Sequence, residues 1–166
     1  GKYYLYWGNG FLAVSELGKD MVSIENTKVL IQHRDRNSYN YNEGSYVFYR
    51  NGLYYFMWSE NDTRSSYYQV RYLISESPTE FVRNGQPAKQ EKLVVLKQDP
   101  SKQIFGTGHH SILQKPGTDE WYIVYHRFAR PNSIKLGWDA GYNREVCIDK
   151  LEFKEDGTIK AIKPTI

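Results

Sequence analysis

The chain has 166 residues, of which 40% are hydrophobic, 25% charged and 16% aromatic, and its formal net charge is +3. This length suits one domain with a real core, and the composition is too apolar and aromatic for a disordered chain. No run approaches the roughly 18 apolar residues of a membrane-spanning helix, and the basic residues are scattered, unlike the basic stripe of nucleic-acid-binding proteins.

The chain opens at Gly1 directly into KYYLYW, a full-strength strand pattern with no lead-in. It has neither an initiator methionine nor a signal peptide at this end. We therefore expect the sequence to be part of a longer protein whose N-terminal portion lies elsewhere.

Short β-branched and aromatic runs, separated by Gly, Asn, Asp and Pro, predict an all-β fold with antiparallel neighbours. The runs repeat. Three strands are alike, and each is followed by a second and a third strand. In chain order the three sets are YYLYW, GFLAVSEL and KVLIQ; YYFMW, YQVRYLISES and LVVLKQ; and WYIVY, REVCIDKLEF and IKAIKP.

The second and third sets also have a strand in front, SYVFYR from Ser45 and HSILQK from His110. The repeating unit is thus four antiparallel strands at a period of about 50 to 70 residues, which is typical of β-propeller blades. We predict an incomplete propeller, with the end of one blade in residues 1–35, a complete blade in 40–100 and a final blade in 105–166. A meandering sandwich or barrel is the alternative.

Alignment of the two complete units places Ser45 on Ser111, 66 positions later, and Glu43 on His109. Because the first strand of each propeller blade lines the axis, we expect Glu43 and His109 to share one cavity. Glycines beside both permit a tight backbone. His109 and His110 should point to opposite sides of an extended strand. An ordinary turn residue and a structural histidine are the alternative interpretations.

The single cysteine, Cys147, excludes an internal disulfide and a cysteine-based zinc site. It lies in the alternating segment EVCIDKLEF, which predicts a buried structural thiol on a strand.

Four segments in order resemble glycoside hydrolase family 43: NEGSYVFYRNGLYYFMWSEN, YYQVRYLISESP, FGTGHHSILQKPGTDEWYIVYHRF and NREVCIDKLEFKEDGTI. The resemblance covers nearly the whole chain. It implies about two and a half blades of a five-bladed β-propeller that hydrolyses arabinose- or xylose-containing glycans. It further implies Glu43 as the general acid and His109 in the central tunnel, near a bound ion or water. Arg144 is implied to reach the active site, although Asn143 stands where the family has Gly.

The resemblance implies an inverting mechanism, in which an acid protonates the leaving oxygen and an ionised carboxylate activates water. In the family, that base and a second, pKa-tuning aspartate lie before a strand like YYLYWGN, and so upstream of Gly1. Asp20 and Asp149 occupy poor positions for a base, whereas Asp139 is in a loop and stays open. We therefore expect these residues alone to be inactive.

Sugar sites also use aromatic faces, and the candidates are Trp58, Phe105 and the loop residue Trp138. Core packing is the alternative for the aromatics of an aromatic-rich β protein. Arg127 ends a strand, where structural pairing competes with substrate contact. No cofactor is required, although calcium or another ion could occupy the propeller axis.

The expected partners are an oligo- or polysaccharide and the missing N-terminal part of the domain, without nucleic acid or membrane. This substrate class favours a periplasmic or secreted location. Two rival interpretations are a non-catalytic carbohydrate-binding propeller and a related five-bladed β-fructosidase. A scaffold propeller has little support, because WD-type repeats are absent.

Overall fold

A computed structural model describes residues 1–88 and 93–166, and strands dominate it. None of the helices in this part of the chain is long and apolar enough to cross a membrane. The strands are β1 Tyr3–Trp7, β2 Leu12–Leu17, β3 Ile24–Ile31, β4 Glu43–Arg50, β5 Leu53–Glu60, β6 Gln69–Ser75, β7 Val82–Arg83, β8 Gln86–Pro87, β9 Leu93–Leu96, β10 Gly108–Gln114, β11 Trp121–Phe128 and β12 Arg144–Leu151.

Three larger sheets follow one another along the chain. They have the orders β1-β2-β3, β4-β5-β6-β9 and β10-β11-β12, and β7 and β8 form a separate ribbon. The helices are short: α1 spans Arg36–Tyr39, and 3₁₀ turns span His33–Asp35, Pro100–Lys102 and Ser133–Tyr142. The predicted all-β, antiparallel character is confirmed.

The hairpin of β4 and β5 has a physical cause in two residues. Asn51 and Gly52 both have positive φ angles, of 50° and 83°. A two-residue turn with positive φ at both positions has the twist that flanking strands need, and Asn-Gly is the sequence that best tolerates it. Next to the turn, the rings of Phe48 and Tyr55 stack with centroids 4.6 Å apart.

The final sheet departs from the predicted four strands. IKAIKP does not continue the ladder as a strand, and Ile159 forms only an isolated bridge with Phe153. Its backbone bonds diverge, because the Lys160 amide donates to the carbonyl of Glu152 and the Ile162 amide donates to that of Val95. A segment divided between two partners cannot form one continuous strand.

The chain divides into two compact units. Of the described residues, the first unit contains 1–58 and 72–88, and the second contains 59–71 and 93–166. The core of the first unit is an aromatic and aliphatic cluster of Leu12, Ile31, Tyr41, Phe56, Trp58 and Leu73.

The second unit has an apolar core crossed by buried polar groups. Among its buried side chains are Ile104, Ile112, Ile123, Phe128 and Leu151. The hydroxyl of buried Tyr125 donates to Asp149 Oδ2 at 2.7 Å. Cys147 lies in the middle of β12, the edge strand of its sheet, and is half-buried and not fully buried as predicted; partial burial raises the pKa of its thiol.

Replacement of Leu12 by Ala should lower the free energy of unfolding by about 2–5 kcal/mol, because it leaves a cavity in the first unit's core. Leu12 is 2% exposed. The matched control is Leu113→Ala, at a residue 54% exposed, which should change stability by less than about 0.5 kcal/mol. Urea denaturation followed by circular dichroism measures both. Equal losses would contradict the assignment of this core.

Candidate active site

Glu43 is the first residue of β4 in the first unit, and its side chain is half-buried. Two hydrogen bonds hold the preceding residue, Asn42, one to its backbone carbonyl and one to its side chain. The Gly10 amide donates to the Asn42 carbonyl at 2.8 Å, and the Arg36 guanidinium donates to Asn42 Oδ1 at 2.5 Å. These bonds hold the backbone in place immediately before Glu43.

Tyr41 is buried and precedes Glu43 by two residues. Its hydroxyl donates to the Gly8 carbonyl at 3.2 Å and shares a 2.6 Å hydrogen bond with Ser45 Oγ. Burial raises the pKa of the Tyr41 phenol, and the charge of Glu43 adds to the shift. The negative charge of Glu43 thus favours the protonated, neutral form of the Tyr41 phenol.

Both strand entries contain one residue with left-handed backbone. Gly44 has a φ of 67°, and His109 has a φ of 47°. The strand pairing of β10 with β11 shifts register between Gly108 and Ser111, so His109 lies in a bulge. Left-handed backbone thus occurs at Gly44 and at His109, and the correspondence of Glu43 with His109 stays a prediction.

The two adjacent histidines occupy opposite faces of β10, as predicted. His109 is exposed, and its amide donates to Ser59 Oγ at 2.9 Å. His110 is only 6% exposed. Burial, with a smaller contribution from His109, lowers the pKa of His110 to about 3, so its imidazole is neutral at physiological pH.

His126 links His109 to Arg144, a role that the sequence analysis missed. Its ring stacks on Tyr68 at 5.8 Å and on His109 at 6.1 Å between centroids. Arg144 Nη1 lies 2.9 Å from His126 Nε2. Because a guanidinium only donates, Nε2 accepts and the proton of the neutral ring is on Nδ1. Burial and then the charge of Arg144 lower the pKa of His126 to about 4.

The stack needs a glycine at position 108. A Cβ on Gly108 would lie 2.2 Å from the ring of Tyr68, which is far inside van der Waals contact. The missing side chain therefore allows β10 to lie directly against Tyr68 and His126. The motif GTGHH in the sequence was the available signal for this close approach.

A second group of side chains continues from Arg144. Asp62 accepts two hydrogen bonds from the Arg64 guanidinium, at 2.9 Å and 2.8 Å, and a third from the Arg64 backbone amide at 2.8 Å. These bonds, with a smaller effect of Arg144, hold the pKa of Asp62 at about 2. The guanidinium of Arg64 lies over the ring of Trp138, 4.7 Å from its centroid. Within the second unit, Asp62 thus interacts electrostatically with Arg144 and is hydrogen-bonded to Arg64, which in turn contacts the ring of Trp138.

The other aromatic candidates differ in accessibility. Trp58 is 3% exposed within the core cluster of the first unit, so the core-packing interpretation replaces the substrate-binding one. Phe105 is half-buried and lines a cavity of about 440 Å³ with Pro131 and Ile134. Trp138 is exposed, and it is the candidate that this structure leaves accessible for stacking.

Arg127 is a structural residue. It is buried, and its Nε donates to Glu145 Oε1 at 2.7 Å while Nη1 donates to the carbonyl of Thr165 at 2.5 Å. These contacts join the end of β11 to β12 and the C-terminal segment. The structural alternative considered for this residue is therefore the one that its contacts support.

Of the three aspartates considered as substitute bases, two have carboxylates with structural partners, and Asp139 stays open. Asp20 closes an exposed turn through Ser23, and Asp149 is buried beneath Tyr125. Asp139 is exposed, and its carbonyl accepts from Asn143. Within residues 1–88 and 93–166, no group of three or more His, Cys, Asp or Glu side chains is arranged to hold a metal ion.

Comparison with known proteins shows a consistent similarity. The family model "Glycosyl hydrolases family 43" matches residues 1–159. A β-D-galactofuranosidase of Aspergillus niger is 32% identical over 167 residues, covering 100% of this chain and 44% of the relative. A xylosidase/arabinosidase of Thermoclostridium stercorarium is 26% identical and is covered to 31%. The chain therefore spans less than half the length of these relatives.

Solved structures share the fold. An α-L-arabinofuranosidase from Clostridium thermocellum is 29% identical with a TM-score of 0.67, and 50% of it is covered by 99% of this chain. A further glycoside hydrolase has a TM-score of 0.76 at 27% identity, with 33% of its length covered. The predicted fold class, an incomplete set of antiparallel blades of a five-bladed β-propeller, is confirmed.

The neutral state of His110 predicts a pH-dependent stability. The unfolded imidazole titrates near pH 6.5, whereas the folded one stays neutral to about pH 3. As the pH falls from 6.5 to 4.5, the unfolded state gains a proton that the folded state does not, so stability decreases. The contribution of His110 approaches about 1.4 kcal/mol per pH unit.

Urea denaturation at several pH values between 6.5 and 4.5 measures this slope. His110→Gln should reduce it, whereas replacement of the exposed, non-titrating Leu113 by Ala should leave it unchanged. The Gln variant is expected to be less stable throughout, but the slope does not depend on that offset. An unaltered slope in His110→Gln would contradict the buried neutral state.

Proposed function

Because the chain belongs to glycoside hydrolase family 43, we propose that it supplies the general acid and part of the substrate pocket of an inverting glycosidase. Glu43 is the acid in this proposal. The supporting observation is its anchored position at the first residue of β4, directly after Tyr41 and Asn42 and before the left-handed Gly44. A glycosidase acid must be held rigidly toward the departing oxygen, and this entry segment provides such support.

The reaction requires a second carboxylate. Protonated Glu43 gives its proton to the glycosidic oxygen as the bond from that oxygen to the anomeric carbon breaks. An ionised carboxylate takes a proton from water, whose oxygen forms the new bond on the opposite face of the sugar. The general base and the pKa-tuning aspartate belong, in our proposal, to the portion of the relatives that residues 1–166 do not span.

Arg144 and His109 are proposed substrate-binding groups. Arg144 offers hydrogen-bond donors to sugar hydroxyls, and its orientation is supported by the bond to neutral His126. His109 presents an exposed ring stacked on His126. A water or ion beside His109 stays a prediction. Phe105 is retained as a weaker aromatic candidate because it lines a cavity of its own.

Arabinose- and xylose-containing glycans are the proposed substrates. The curated xylosidase/arabinosidase and the solved α-L-arabinofuranosidase support this class. The Aspergillus niger relative is named for galactofuranose, which has a five-membered ring as arabinofuranose does. Nitrophenyl arabinofuranoside, xyloside and galactofuranoside therefore form the appropriate assay set.

A carbohydrate-binding propeller is the second candidate function. One observation favours it: the three aspartates considered as substitute bases are in a turn, beneath Tyr125 and in an exposed loop. In such a protein Glu43 would contact sugar without catalysis. Two aspartates in the preceding part of the protein would favour the enzyme, and their absence would favour the binding protein.

In the complete protein, Glu43→Gln should lower kcat by about 10²–10⁴-fold on an oligosaccharide, because the leaving oxygen can no longer be protonated. The loss should be much smaller with a nitrophenyl glycoside, whose leaving group needs little protonation. Steady-state kinetics on both substrates test this. The control is Glu25→Gln, at an exposed position of β3, which should keep full activity. An equal loss on both substrates would indicate a structural role for Glu43.

Residues 1–166 purified alone should not hydrolyse any of the three nitrophenyl glycosides, because the proposed base is not among them. The assay compares turnover with that of the Glu43→Gln form of the same chain. Turnover that Glu43→Gln abolishes would contradict the proposal, since it would require a base within these residues. Addition of the preceding residues should restore activity if they carry both aspartates.

A further inference from the structure

We propose that a cavity beneath Trp138 in the second unit binds a neutral sugar residue of the glycan. The cavity has a volume of about 300 Å³, and its walls include Arg64, Ser65, Ser66, Tyr67, Phe128 and Trp138. This inference takes its ligand class, a neutral glycan, from the proposed function, but its contacts are separate from Glu43. We call it the Trp138 cavity.

Two aromatic rings of the Trp138 cavity are exposed without a packing reason. Trp138 is 61% exposed and Tyr67 is 67% exposed, whereas Phe128 closes the floor from the core. Tyr3, Tyr49 and Tyr142 are exposed as well, but Tyr67 and Trp138 line one cavity, and clustered apolar surface of this kind marks binding sites. The apolar C–H face of a sugar ring packs on an indole, and its hydroxyls can bond with the hydroxyls of Ser65 and Ser66 in the wall.

The indole of Trp138 is held in a defined orientation before any ligand arrives. Gly137, with φ of 58° and ψ of −125°, interrupts the 3₁₀ turns and directs the following residue outward. Arg64 then covers the ring at 4.7 Å. Arg64 itself lies tightly against Gly141, where a Cβ would come within 2.6 Å of its Cγ and 2.8 Å of its Cα. Such preorganisation reduces the entropic cost of binding.

The charges of the Trp138 cavity favour a neutral ligand over an acidic one. Arg64 is the charged residue in its wall, and two hydrogen bonds join its guanidinium to Asp62. The pair has no net charge, and the Nε–Nη2 edge of the guanidinium is already bound to Asp62, so that edge does not form a bidentate contact with a uronate. Serine hydroxyls and aromatic rings are then the remaining groups for recognition, which suits pentose or hexose rings.

The Trp138 cavity is also electrostatically connected to the other candidate sugar-binding groups of the same unit. Asp62 is influenced by Arg144, whose guanidinium bonds to His126, and His126 stacks on His109. A glycan bound through Arg144 and His109 would therefore have the indole of Trp138 as a further contact for a neighbouring sugar residue. We assign the Trp138 cavity to such an additional sugar and not to the sugar that is cleaved.

The test uses the indole N–H signals of residues 1–166 labelled with ¹⁵N. The chain has four tryptophans, and the signal lost in Trp138→Phe identifies Trp138. Titration with xylotetraose or arabinotetraose should shift this signal, whereas a galacturonic acid tetramer should bind at least about tenfold more weakly. Failure of both neutral oligosaccharides to shift the signal, or tighter binding of the acidic one, would overturn the proposal.

Calorimetry on matched variants measures the contribution of the ring. Trp138→Ala should weaken neutral oligosaccharide binding by at least about tenfold, as for an aromatic anchor of a binding site. Tyr49→Ala removes an exposed aromatic ring of the first unit and should have no effect. Gly141→Ala should weaken binding while keeping the indole, because it displaces Arg64. Unchanged affinity in Trp138→Ala would overturn the inference.

These experiments separate the inference from the proposed function. Binding at Trp138 is measured without hydrolysis, and Glu43→Gln should leave it unchanged. A chain that binds through Trp138 while the complete protein hydrolyses nothing would retain the cavity and favour the carbohydrate-binding propeller. An active complete enzyme whose Trp138 signal does not shift would retain the glycosidase and overturn the cavity.

Discussion

The contact between Tyr68 and the bare backbone of Gly108 is the constraint on which the candidate site of the second unit depends. A side chain at position 108 would overlap the Tyr68 ring. Because the backbone is so close, His126 stacks on Tyr68 on one side and on His109 on the other. The bulge at His109 then exposes that ring, while His110 is buried in the core. The absence of a side chain at position 108 thus allows the close approach of β10 to Tyr68, immediately before the exposed His109 and the buried His110.

Burial and charge pairing determine which groups of the same region are charged. Burial keeps His110 and His126 neutral, so His126 can accept a hydrogen bond from Arg144 and not repel it. Asp62 neutralises Arg64 at the indole of Trp138. In this region the guanidinium of Arg144 is oriented by a neutral acceptor, that of Arg64 is paired with Asp62, and the ring of Trp138 is exposed. Such a surface suits neutral, hydroxyl-rich ligands.

In the proposed function, the catalytic groups are divided between this chain and the part of its relatives that it does not span. A candidate acid and candidate sugar-binding groups lie within residues 1–166, whereas Asp20 closes a turn and Asp149 is buried beneath Tyr125. General acid catalysis without a base hydrolyses little, because water must be activated on the opposite face of the sugar. The family assignment and the proposed inactivity of the isolated chain are therefore compatible.

The sequence by itself determined features that depend on neighbouring residues. Asn51-Gly52 specified its hairpin, alternation along β10 specified opposite faces for His109 and His110, and the ordered motifs specified the family. Only the tertiary structure decided what depends on distant contacts. It buried Trp58, paired Arg127 with Glu145, placed His126 against Arg144 and divided the last predicted strand between two partners. The physical reason is that strand period and turn chemistry act over a few residues, whereas burial, stacking and ion pairing join residues far apart in the chain.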